Sequence, residues 1–129
     1  MDGNGERGTL TLQTIAMPAD TNPAGDIFGG WLMSQMDLGA SVMAQTRAPG
    51  RVATVAVEGM TFHRPVRVGD IVSIYADLVR EGATSMTLEI EAWVTRKRSG
   101  ERQKVTHATF VFVALDEEGR KRALPGRGE

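Results

Sequence analysis

The stretch WLMSQMDLGASVMAQTR, residues 31–47, is the one long segment of this chain that follows a helical period. Leu32, Met36, Gly39 and Met43 recur at three- and four-residue steps and form a single apolar stripe. Ala48-Pro49-Gly50 follows, the proline and glycine that stop a helix. Before it runs MPADTNPAGDIFGG, residues 17–30, with two prolines and three glycines, too long and too punctuated for a simple turn.

Outward from the helix, everything reads as strand. Residues 9–16 (TLTLQTIA) alternate Leu10 and Leu12 with threonines. Residues 52–62 are valine-rich, with glycine only at Gly59. Residues 70–80 put Val72, Ile74, Ala76 and Leu78 on one face, and residues 84–95 do the same with Met86, Leu88, Ile90, Ala92 and Val94. Residues 105–115 are apolar on nearly both sides, the pattern of a central strand covered twice. Gly82-Ala83 and the basic RKRSGER segment are short enough to join antiparallel hairpins. One helix covers one face of such a sheet, so a curved sheet wrapped around the helix is expected, with further burial supplied by a second subunit.

The whole chain bounds the rest. Its 129 residues allow one domain with one core, and 41% hydrophobic with 24% charged residues is an ordinary globular balance. A formal net charge of −1 argues against nucleic-acid binding through bulk charge. The absence of cysteine excludes disulfides, thiolate zinc sites and cysteine nucleophiles, and fits a reducing compartment. The opening MDGNGERG lacks the basic start and apolar run of a secretory signal, and no apolar stretch approaches the roughly 20 residues that span a bilayer. The expected location is the cytoplasm. The expected domain is 9–115, with residues 1–8 and 116–129 as loose tails.

No GxSxG elbow is present, and the only histidines, His63 and His107, show no metal-ligand spacing. No metal is expected. Asp37 is the anomaly. It is the only charged residue between Trp31 and Ala44, mid-helix, with Met33, Ser34, Ala40 and Ser41 as helical neighbours. A surface aspartate is the bland reading; desolvation there would instead raise its basicity and suit a general base or nucleophile. Gly29-Gly30, directly before the helix, offers unpaired N–H groups and close backbone approach for an oxyanion, or merely turns the chain. Asn22, ahead of Pro23, is a turn residue or an amide that polarises a carbonyl or holds a water.

Residues 18–37, PADTNPAGDIFGGWLMSQMD, resemble nearly position for position the signature of the YciA-type acyl-CoA thioester hydrolases. RVATVAVEGMTFHRPVRVGD (residues 51–70) and THATFVFVALDEEGR (residues 106–120) look like the same family's strands. The resemblance implies an α+β hotdog fold and hydrolysis of acyl-CoA to free acid and CoA. It also implies dimers assembled as hexameric trimers of dimers. No cofactor is implied beyond the coenzyme A of the substrate. It carries the catalytic aspartate onto Asp37, the assisting asparagine of the facing subunit onto Asn22 and the oxyanion position onto Gly29 and Gly30. The Gly82-Ala83-Thr84-Ser85 turn resembles the family's contact with pantetheine, which adds Gly82, Thr84 and Ser85. Arg64, Arg96 and Lys97 stand among the cations available for CoA phosphates, or are ordinary surface. Met33, Met36 and Met43 are either core or an adaptable acyl pocket.

Spacing adds a constraint of its own. Asp37 lies seven residues beyond Gly30 (37 − 30 = 7), roughly 10 Å along a helix, too far for both to meet one carbonyl. If both act together, they belong to different subunits. Two other readings remain open: a non-catalytic acyl-CoA-binding module, and a hotdog dehydratase acting on acyl carrier protein. The dehydratase needs a histidine beside a helix acid, and none lies in the loop or helix.

Overall fold

The computed structural model describes residues 5–127. In chain order it contains β1 (Thr9–Ile15), a 3₁₀ turn (Pro18–Asp20), α1 (Gly29–Arg47), β2 (Val52–Phe62), β3 (Ile71–Glu81), β4 (Ser85–Thr95) and β5 (Arg102–Ala114). The strands form one antiparallel sheet in the order β1-β3-β4-β5-β2. The hairpins expected at Gly82-Ala83 and at residues 96–102 join β3 to β4 and β4 to β5. The centre of the sheet is β4, one place removed from the β5 segment expected there.

The sheet curls around α1, which touches all five strands. Leu32, Met36, Gly39, Ala40 and Ala44 form its buried face. They meet Val72, Ile74, Met86, Leu88, Ile90, Phe110 and Phe112, all closed off from solvent. Each large side chain so buried contributes roughly 1.5–3 kcal/mol, and this shared apolar face is what binds helix to sheet. Gly39 sets how close the two come. A Cβ there would lie 2.7 Å from Ile74 Cγ2 and 2.9 Å from Thr11 Oγ1, so only glycine allows this approach.

Two expectations about the ends are corrected. Residues 5–8 lie across the outer face of the sheet: Arg102 reaches Glu6 at 2.8 Å, and the Arg7 backbone N–H donates to Glu91 at 3.0 Å. The Arg102 guanidinium stacks 4.9 Å above the Trp93 ring. Residues 116–127 are equally attached. Leu124 is fully buried, its N–H donates to Ala83 O, and the Arg122 guanidinium donates to the carbonyls of Ala48, Arg51 and Leu115. Most of these anchors lie far away in sequence, so composition does not reveal them. Residues 1–4 and 128–129 lie outside the described residues.

Candidate active site

Asp37 is half-buried on the side of α1 that faces β2. The hydroxyls of Ser34 and Ser41 do not serve it; they donate back to the carbonyls of Trp31 and Leu38 at 2.7 and 2.8 Å. Its partner is Thr54, whose hydroxyl donates to Asp37 Oδ1 at 2.5 Å. Sequence reading missed Thr54. The β2–β5 pairing is irregular between Thr54 and Ala56, a bulge that re-aims side chains at that point. Only the pairing shows it.

Around this pair the surface is apolar. Leu38 is 54% exposed and Val55 56%, with Met33, Val42 and Val57 also open. The helix carboxylate therefore stands in an uncovered hydrophobic patch bordered by the free edge of β2. Met33 belongs to this patch, Met36 is fully buried, and Met43 packs against the core.

Gly29 and Gly30 are the first two residues of α1 rather than its prelude, with Phe28 at the N-cap and no side chain capping the end. Their N–H groups belong to the first turn, which has no carbonyl partner within the helix. Space beside Gly30 is open, and Gly29 stands against the Phe62 ring, 3.3 Å from where its Cβ would be. A cavity of about 220 Å³ adjoins this end, lined by Ile27, Phe28, Gly29, Leu32, Phe62, Arg64, Pro65, Val66 and Val105.

The loop before α1 is internally tied. Asn22 Oδ1 accepts the N–H groups of Ala24 and Asp26 at 2.9 and 3.1 Å, and the Phe28 N–H donates to Asp20 O. The Asn22 carbonyl oxygen thus shapes the turn, and its NH₂ group is the part left to donate elsewhere. Within one chain Asp37 and the Gly29–Gly30 end remain two turns of helix apart, roughly 10 Å.

The substrate-binding candidates do not converge within one chain. Arg64 lines the cavity at the α1 N-terminus while its Nη1 donates to Lys104 O at 2.8 Å. Arg96 is engaged with Asp70 at 2.5 Å and with Gln103. Together with Lys97, Arg67 and Arg98 it lines a separate cleft of about 660 Å³. Gly82, Thr84 and Ser85 form the β3–β4 turn, where the Gly82 N–H donates to Ser85 O and Arg127 covers the Gly82 carbonyl. That turn adjoins the far end of α1, since Arg47 pairs with the neighbouring Glu81.

His107 lies between the buried Thr106 and Ala108, so it points to the sheet face opposite α1 and stacks on His63 at 5.9 Å. Neither histidine faces the helix carboxylate. Among the described residues no group of three or more ligating side chains could hold a metal, and no helix is long and apolar enough to cross a membrane.

The thioesterase superfamily model matches residues 24–100. The YciA acyl-CoA thioester hydrolase of Escherichia coli K12 is 58% identical over 125 residues, covering 95% of this chain and 95% of its own. Two solved structures align closely. The hexameric thioesterase y2039 of Yersinia pestis does so with a TM-score of 0.90, 55% identity, and 94% and 98% of the two chains covered. A hexameric hotdog fold thioesterase of Campylobacter jejuni gives a TM-score of 0.86 and 39% identity over 91% and 90%. TM-scores of 0.86 and 0.90 over nine-tenths or more of each chain show that the fold is shared. The chain belongs to the thioesterase superfamily, as a hotdog enzyme of the YciA-type acyl-CoA thioester hydrolases.

Proposed function

We propose that this enzyme hydrolyses acyl-CoA to a carboxylic acid and CoA at a site shared by two subunits, with Asp37 as the reacting carboxylate. The observation that carries this reading is the Thr54–Asp37 hydrogen bond within an uncovered apolar patch. One carboxylate oxygen is held by Thr54. The other is left to take a proton from water, or to attack the thioester carbonyl and form an anhydride. The thiolate of CoA is a good leaving group, so one carboxylate and an oxyanion site suffice chemically. The developing oxyanion meets the N–H groups of Gly29 and Gly30 on the facing subunit, together with the NH₂ of Asn22.

The spacing along α1 supports the shared site, because one chain cannot bring both halves to the same carbonyl. The exposed Leu38, Val42, Val55 and Val57, beside an unpaired β2 edge, support a dimer that covers them. Hexameric relatives support assembly of this chain into a homo-oligomer, here read as a trimer of dimers. In such an assembly Arg64, Arg96 and Lys97 of one subunit and the Gly82–Ser85 turn of another hold different parts of the CoA. Coenzyme A is part of the substrate and the reaction uses no other cofactor. The lack of cysteines fits a cytoplasmic enzyme.

The test is free-thiol release from acyl-CoAs with the wild type, Asp37→Asn, and mixtures of two inactive variants. Asp37→Asn should lose turnover while still binding CoA. Mixing Asp37→Ala chains with chains whose helix start is blocked by Gly30→Val should recover part of the activity, because some interfaces then carry one intact site. Wild-type protein that releases no thiol from any acyl-CoA sinks the reading; mixtures that stay inactive sink the shared site.

A further inference from the structure

We propose that His63 and His107 form a two-histidine site for a divalent transition-metal ion (zinc, nickel or copper) on the sheet face opposite α1. The site lies away from Asp37 and does not depend on the reading of the reaction. The two residues stand 44 positions apart (107 − 63 = 44), and only strand pairing brings them together. Thr61 is the register partner of His107 in the β2–β5 ladder, and His63 lies two residues further on the same face. The histidines are thus diagonal neighbours, a separation that long side chains bridge. The backbone of His63 is fixed as well, because its N–H donates to Val105 O at 2.8 Å.

Three observations point to a metal. The ring centres are 5.9 Å apart, with planes 24° off parallel. Two imidazoles that share one metal at about 2.0–2.1 Å per nitrogen have centres roughly 5–6 Å apart, so the pair already has the span of a chelate. Both residues are exposed, and among the described residues no hydrogen bond engages either imidazole. Their ring nitrogens are therefore open to a ligand, and rotation about χ2, broad for histidine, turns one nitrogen of each toward a common point. The charge nearby also suits a cation. Glu91 stands opposite His107 in the β4–β5 ladder, while Lys104 is paired with Glu91 at 3.5 Å and Arg64 with the Lys104 carbonyl at 2.8 Å.

Imidazole is the ligand that suits zinc, nickel and copper, and copper binds most tightly in the usual order of divalent ions. Two protein ligands leave the other positions to water, so this is an exchangeable site and not a closed structural cage. Its effect is mechanical. His63 leads directly into Arg64, Pro65 and Val66 in the wall of the cavity beside Gly29, and a metal ties that segment to β5.

The experiment titrates tag-free, metal-stripped protein with copper, nickel and zinc salts by calorimetry, using wild type, His63→Ala and His107→Ala. Wild type should take up one metal per chain. Each variant should bind about a hundredfold more weakly, because losing either imidazole removes the chelate. Saturating metal should raise the melting temperature of the wild type and leave both variants unmoved. Electron paramagnetic resonance of the copper form should show two nitrogen ligands in the wild type and at most one in either variant. Both positions are exposed, so the variants should keep their metal-free melting temperature; His63→Gln and His107→Gln replace them if they do not. Wild-type binding no tighter than that of the variants overturns the site, as does a loss confined to one of the two.

Discussion

Replacing Thr54 by valine removes one hydroxyl and changes almost nothing else. Valine keeps the β-branched shape that suits the strand, so β2 should form as before. What disappears is the donor 2.5 Å from Asp37 Oδ1. A hydrogen bond to a charged group has a net worth of about 1.5–3 kcal/mol. The proposed reaction needs the carboxylate held in one orientation, with its second oxygen toward water or carbonyl. Losing the tether should then raise the barrier by a comparable amount, about 10- to 150-fold in kcat. In that reaction Thr54 would be a positioning residue, so KM should hardly change, because the hydroxyl is spent on Asp37. Thr54→Ser keeps the donor and should restore most of the rate. The assay is continuous thiol release with kcat and KM resolved separately, beside a melting curve to verify folding. A Thr54→Val enzyme within twofold of wild type in kcat would refute the reasoning, as would a loss that appears only in KM. A serine variant as slow as valine would show that packing, and not the hydrogen bond, is what matters.

Three further outcomes test the fold. Gly39→Ala forces a methyl group to within 2.7 Å of Ile74, and should cost about 1–3 kcal/mol in chemical denaturation; a neutral result would mean the helix can shift away freely. Leu124→Ala should cost about 2–5 kcal/mol, because its side chain is fully buried. A loose C-terminal segment would instead leave stability almost unchanged. The Arg47 hydrogen bond holds the Glu81 carboxyl below the usual carboxylate range. A depressed folded-state pKa adds stability that is complete above the ordinary glutamate value of about 4.3, and is lost as pH falls below it. The difference in melting temperature between wild type and Glu81→Gln should therefore shrink on acidification through that range; a constant difference would argue against the ion pair.

Much of this protein was legible in its residues alone. The helix declared itself through Leu32, Met36, Gly39 and Met43, and the strands through two-residue alternation, because both periods are local properties of backbone geometry. Ala48-Pro49-Gly50 ended the helix where expected, and the short connections made hairpins. Asp37 was conspicuous for the same reason, as a charge that breaks a local pattern. What no local pattern could provide was the partner of that charge. Thr54 lies 17 residues away on another element, and its aim depends on a bulge in the pairing of β2 with β5.

The same distinction separates the remaining features. Glu6, Arg122 and Leu124 look like tail residues by composition, and become structural because Arg102, the Ala48 carbonyl and the core happen to lie where they reach. Strand order is likewise non-local: β2 pairs with β5, forty residues further on, and leaves its other edge free. The sequence by itself determined the elements and the family, and singled out Asp37 as an isolated charge on the helix. Only the tertiary structure decided that Thr54 donates to Asp37, that Phe62 lies against Gly29, and that apolar side chains of α1 and β2 stand exposed. Contacts between distant residues depend on how the whole chain packs, and packing is a property of the assembled core, not of any window along the chain.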